Sequence, residues 1–220
     1  VDRDDHIDPD AFLRRVTPLM ESKDLPGLVA TCRAHWTPEQ IVSLLASDHP
    51  DARKVAACAL SLVGTRCCLP PLARMLREPD PVVNSLAEHA MWSIWFRLGP
   101  AEANRQLARG AQALNDKNLE HAEAHFGKAI EIAPDFAEPY NQRAIVAYLT
   151  ERFEDSVADA RRAVELNPDH FGAWAGMGHC LAYLGRLPEA IDAYEHALAV
   201  NPHLSCVREL RDELLKQAQS

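Results

Sequence analysis

The chain is short of what a catalytic or nucleic-acid-binding protein is built on. It holds nine glycines in 220 residues, most of them at helix junctions, which leaves little loop for an active site. It contains no GxSxG elbow, no phosphate-cradling glycine loop, and no cysteine with an assignable histidine and acid. No enzymatic activity and no cofactor are therefore expected. The six cysteines form no CxxC pair and mostly sit among Ala and Leu at apolar helical positions. They read as buried reduced thiols and favour the cytoplasm. No stretch concentrates Lys and Arg with interleaved aromatics, and the net charge of -9 repels a phosphate backbone, so nucleic acid is not an expected partner. No run approaches a membrane span of eighteen or more apolar residues, and the opening VDRDDHIDPD is acidic where a signal peptide would be basic and then apolar. No direct membrane insertion is expected.

What the chain does have is a core's worth of apolar residues, 47%, against 25% charged. It also has a period. Pro134, Pro168 and Pro202 stand 34 residues apart, each after an amphipathic helical pattern, in the motifs EIAPDF, ELNPDH and AVNPHL. Proline cannot continue a helix and disfavours helical geometry before it, so each ends a helix at the same point of a repeat. Between the prolines, each unit carries two apolar-periodic segments broken by a polar turn, which predicts a repeated helical hairpin.

The third unit, 171–204, resembles a tetratricopeptide repeat in Trp174, Gly178, Ala190, Tyr194, Ala197 and Pro202. The first, 103–136, keeps Gly110, Ala122, Phe126, Ala129 and Pro134. The second, 137–170, keeps Tyr140, Ala144, Ala163 and Pro168 but departs at Ser156 and Ala160. Small residues let helices approach, and rings fill the spaces between them. A last segment, SCVRELRDELLKQAQ, reads as a solvating cap helix over 205–220.

A shorter period runs through residues 37–98. At an offset of 31, Leu45 pairs with Leu76, Pro50 with Pro81, Ala56 with Ala87, Ala59 with Ala90 and Val63 with Ile94. This pattern resembles the bacterial HEAT-like repeat. Arg53 matches the basic residue after that family's turn, and Asn84 stands there in the next unit. Thr37, Pro38 and Gln40 spell a capping-box helix start, and Gly64 and Gly99 read as C-terminal glycines. The patterns AFLRRVTPLM and LPGLVATCRAHW add a degenerate opening unit. The expected organisation is an acidic tail over 1–9, HEAT-like hairpins over 10–99 and three tetratricopeptide repeats over 100–204. Only Gly99-Pro100 separates the two regions, so the fold class is all-α, a continuous right-handed α-solenoid.

Two clusters invite a metal reading. His121 and His125 lie four apart on one helix but lack a third ligand, and Asp2, Asp4, Asp5, Asp8 and Asp10 lack the turn glycine and terminal Glu of a calcium loop. A surface histidine pair and a solvated tail are expected, with no metal. The vicinal Cys67-Cys68 pair reads as packing at a helix start rather than a redox switch. Trp92, Trp95 and Phe96 replace Ser61, Gly64 and Thr65 of the preceding unit. Either they seal the junction onto the next helix or they form an exposed aromatic anchor.

The tetratricopeptide resemblance implies that first helices line a partner groove. The positions carried over are Asn104, Leu107, Ala111 and Leu114; then Glu138, Asn141, Ile145 and Tyr148; then Gly172, Ala175, His179, Ala182 and Tyr183. The basic clamp by which chaperone-tail-binding members hold a terminal carboxylate is absent, since Leu107, Ala111, Gln142, Gly172 and Gly176 occupy its positions. The implied function is a scaffold holding a peptide or helix of another protein by apolar anchors, with Asn104, Asn141 and His179 fixing register and Tyr148 and Tyr183 as anchors. The alternative is an accessory factor or enzyme of the bilin lyase type, known among HEAT-like proteins.

Overall fold

The computed structural model describes residues 7–218. Within them the chain is all-α, and no strand occurs among the described residues. It divides into two compact units, Val1–Trp95 and Phe96–Ser220.

In the first unit, α1 (Pro9–Glu21) and α2 (Leu25–His35) form a hairpin, followed by α3 (Pro38–Ser43), α4 (Pro50–Val63), α5 (Leu69–Met75) and α6 (Pro81–Trp95). Here α4 packs against α6, α1, α2 and α3. The alanines predicted to line the matched helices, Ala56, Ala59, Ala87 and Ala90, are fully buried. The expected capping box is present: the Thr37 hydroxyl accepts from the Gln40 N–H at 3.3 Å, and the Gln40 side chain accepts from the Thr37 N–H at 2.9 Å. Arg53 donates to the Ser47 carbonyl at 2.8 Å, and Asn84 donates to the Leu76 carbonyl, so the shorter side chain serves its turn by bonding a different residue.

Two expectations need correction. Asp8, though exposed, is not free in a tail: its carboxylate caps α1, accepting from the N–H groups of Asp10 and Ala11 at 3.2 Å. Asp2, Asp4 and Asp5 lie outside the described residues. Gly64 does close α4 as its C-cap, its N–H bonding the Leu60 carbonyl at 2.8 Å, whereas Gly99 stands four residues beyond the end of α6 and caps no helix. Gly64 is extended (φ -63°, ψ 154°), and among the described residues Gly185 is the glycine with positive φ. Close approach requires the other two. A Cβ on Gly64 would meet the Leu60 carbonyl oxygen at 2.5 Å, and one on Gly99 would meet the Phe136 ring at 2.5 Å.

In the second unit, α7 (Ala101–Asn115) pairs with α8 (Leu119–Ile132), α9 (Ala137–Leu149) with α10 (Phe153–Leu166), and α11 (Phe171–Tyr183) with α12 (Leu187–Val200). α13 (Ser205–Gln217) packs on α12 through Val207, Leu210 and Leu214, and lies 34 residues after α11, where a further first helix would stand. Each hairpin turns the same way. The N–H of residue 118 bonds the carbonyl of 113 while that of 117 bonds 114; 152 and 151 repeat this on 147 and 148, and 186 and 185 on 181 and 182. This is the Schellman closure, which places Lys117 (φ 59°), Glu151 (φ 57°) and Gly185 (φ 73°) in the left-handed region. The α1–α2 turn uses it too, at Lys23 (φ 57°).

Candidate functional site

The repeats pack by pressing a ring of the second helix onto a glycine of the first. In the first repeat a Cβ on Gly110 would lie 2.4 Å from the Phe126 ring, and in the third a Cβ on Gly178 would lie 2.5 Å from the Tyr194 ring. Both rings are fully or almost fully buried. The middle repeat breaks the rule. At the matching places it has Ala144 and Ala160, and the missing ring leaves space.

That space is a slot of about 140 Å³ between α9, α10 and α11. Asn141, Ala144, Ile145 and Tyr148 form one wall, Ser156 and Ala160 the floor, and Gly172, Ala173, Gly176 and His179 the other wall. A Cβ on Gly176 would meet nothing within 4 Å. The floor is firm because the Ser156 hydroxyl donates to the Ala144 carbonyl at 2.8 Å and accepts from the Cys180 thiol at 3.1 Å. The sequence departures at Ser156 and Ala160 therefore line the slot rather than merely weakening a repeat.

A second cavity of about 380 Å³ is lined by Tyr148, His179, Ala182, Tyr183, Tyr194 and Leu210, so Tyr148 and His179 border both. Nδ1 of His179 lies 2.7 Å from the Tyr194 hydroxyl. Burial holds the imidazole below its usual range and pushes the phenol up, so a neutral ring and a protonated phenol share this hydrogen bond. At the rim, the rings of Phe153 and Tyr183 stack at 4.9 Å and 2°, and Tyr148 lies 5.9 Å from each. The Tyr183 hydroxyl beside it, then burial, push Tyr148 up.

Asn141 is held from behind. Its amide donates at 3.2 Å to Glu138, which also accepts from Gln142 at 2.8 Å and stands 2.9 Å from His170 Nε2. His170 Nδ1 accepts from the Ala173 N–H at 3.1 Å, so the proton of a neutral ring faces the carboxylate. Both members of the pair are buried.

The structure thus brings Asn141, Ile145, Tyr148, His179 and Tyr183 of the expected groove together, with Gly172 and Ala182. It disperses the others. Leu107 is fully buried in the first repeat's core, and Leu114 packs against that core; Ala111 is half-buried and borders neither cavity. Asn104 ties down the preceding chain, donating to the carbonyls of Gly99 at 2.7 Å and Arg97 at 3.2 Å. Ala175 packs on the cluster beneath α13, and Glu138 is buried away from the slot. Tyr148 is half-buried against the core, so its ring is partly structural, whereas Tyr183 is 66% exposed. Ala144, Ser156, Ala160, Ala173 and Gly176 also line the slot and are not among the expected groove positions; the alanine at 160, where both neighbouring repeats carry a ring, is the sequence signal for them.

Of the aromatic triplet, Trp95 is buried and meets Trp92 edge-on at 5.2 Å, and Phe96 packs on the first repeat's core. No exposed triple anchor exists at these positions. His121 bonds Asn118 and His125 bonds Gln106, and no group of three or more His, Cys, Asp or Glu converges among the described residues. Nor is any described helix long and apolar enough to cross a membrane.

Residues 172–204 match the family described as Tetratricopeptide repeat. A TPR repeat-containing protein of Rhizobium etli is 28% identical over 130 residues, covering 59% of this chain and 64% of that protein. The Hsp70-Hsp90 organizing protein of Triticum aestivum is 34% identical over 100 residues, covering 46% of this chain and 17% of that protein. Among solved structures, the first TPR of Spaghetti (RPAP3) bound to an HSP90 peptide, SRMEEVD, superposes with a TM-score of 0.53 at 20% identity, covering 54% of this chain and 94% of that one. The chain spans under two thirds of the length of either curated relative.

Proposed function

We propose that this chain of tetratricopeptide repeats is an interaction scaffold that holds a segment of another protein on the face made by α9, α11 and α13, with one apolar side chain of that segment seated in the slot. The carrying observation is the slot itself: small residues (Ala144, Gly172, Ala173 and Gly176) alternate in its walls with Asn141, Ile145, Tyr148 and His179, its floor is Ala160 and Ser156 where neighbouring repeats have a buried ring and an alanine, and it is open at Gly176. Empty apolar space costs packing energy, and a partner's side chain would restore it. The relatives' printed names, a chaperone-organizing protein and a peptide-bound TPR, support a role in holding proteins. Six free cysteines suit a reducing compartment, and we place the scaffold in the cytoplasm. No observation favours the bilin-lyase-type alternative.

The test is selection from a library of random twelve-residue peptides displayed on phage, followed by anisotropy titration of the enriched peptides. Gly176→Leu fills the slot without touching the backbone. Gly127→Leu, on α8, is the control, since a Cβ there also meets nothing within 4 Å. Both remove a mid-helix glycine and should melt no lower than the parent. The expected result is loss of peptide binding in Gly176→Leu alone. Equal binding by both variants would move the site elsewhere.

A further inference from the structure

The face beside the slot is short of positive charge. Taking the first-helix positions that line the cavities, and stepping them by 34 residues, α9, α11 and α13 carry no arginine on this face and one lysine, Lys216 near the end of α13; on α7 the stepped position of Ala173 is Arg105, which is paired with Glu102, and on α13 Asp212 is paired with Arg211. Its carboxylates are unevenly placed. Glu138 is buried and engaged with His170, Asn141 and Gln142, so it presents no charge to a ligand. On α13, however, Glu209 and Glu213 take the places that Asn141 and Ile145 hold on α9, and Ala175 and His179 on α11. Both are exposed, and neither forms an ion pair among the described residues. Leu210, one residue after Glu209 and three before Glu213, lines the second cavity, so these carboxylates flank its α13 side.

We infer that the scaffold takes a basic segment: one that seats an aliphatic or methionine side chain in the slot and carries lysine or arginine toward α13, where Glu209 and Glu213 receive it. This rests on the proposed function and adds the sign of the ligand. An acidic tail meets no cation at the slot and two carboxylates beyond it. A basic one finds complementary charge that raises its rate of association and fixes its direction along the face.

The phage-selected peptides decide it. They are expected to carry net positive charge on one side of an apolar residue, to weaken as salt rises, and to lose affinity about tenfold when Glu209→Lys and Glu213→Lys are combined. The milder pair Glu209→Gln and Glu213→Gln should give an intermediate loss, and unchanged melting temperatures show that α13 stays in place. The acidic peptide SRMEEVD should bind the Lys double variant better than the parent. Neutral or acidic selected peptides, or affinities that ignore the α13 substitutions yet vanish in Gly176→Leu, would overturn the inference and leave the groove reading standing. Selected peptides indifferent to Gly176→Leu would overturn both.

Discussion

At single residues, the three hairpin turns of the repeats hold the same left-handed backbone with different side chains. Gly185 adopts it freely, but Lys117 and Glu151 bring a Cβ into a region costing about 1–2 kcal/mol for an L-residue. Glycine offsets part of that gain, since it loses about 0.5–1 kcal/mol more chain entropy on folding. Glu151→Gly is therefore expected to raise stability by up to about 1 kcal/mol and Gly185→Ala to lower it by about the same amount, as read by urea denaturation. Sequence reading did not reach these turns because two of the three carry no glycine. Of the glycines that were legible, Gly64 closes α4 in extended rather than left-handed geometry, and Gly99 serves close contact instead.

His179 gives a pH dependence whose sign follows from its burial. Its folded pKa lies below the unfolded value of 6.5, so the unfolded chain binds the proton more readily. The contribution is complete above pH 6.5 and is lost as pH falls below it toward the folded value. His125, lowered by burial and then by Lys128 and Arg109, adds in the same sense. Melting temperature should fall between pH 7 and pH 5, and His179→Gln should make that fall shallower. An unchanged slope would assign the loss to other groups.

Among the elements, the middle repeat is held within itself and to both neighbouring repeats by polar pairs as well as by shape. The bidentate pair of Arg143 with Asp159, both bonds 2.7 Å, joins α9 to α10, and Arg152 grips Glu123 of α8 at 2.7 and 3.0 Å. These pairs are partly exposed and contribute little each. The Glu138–His170 pair is different, because both side chains are wholly buried. Removing the histidine leaves a buried carboxylate with two amide donors. His170→Ala is expected to cost about 3 kcal/mol or more, while adding Glu138→Ala should recover part of it; a strictly additive double mutant would show that the two do not act as a pair.

Across the whole molecule, the sequence was most legible where it repeats. The 34-residue spacing of three prolines fixed the hairpin series of the second unit, and the alanines at 56, 59, 87 and 90 marked buried faces of the first. It was least legible where a position on a repeat's face has two possible surroundings. The row containing Asn104 and Leu107 is a groove wall where a neighbouring hairpin leaves space, and core or loop anchor where it does not, which no single-position pattern reveals. Ala160 shows the converse. As a departure from its neighbours it reads as a weak repeat, although a missing ring beside a packed helix leaves a cavity.

The central claim is that this departure makes the binding site. The direct test restores the neighbours' pair in the middle repeat with Ala144→Gly and Ala160→Phe, where glycine is required because a Cβ at that place sits about 2.5 Å from the ring in both flanking repeats. Melting temperature and affinity for the selected peptides are measured on the same variant. The account expects a fold at least as stable as the parent's, its slot filled from within, with peptide binding abolished; a stable variant that binds as the parent does would contradict it.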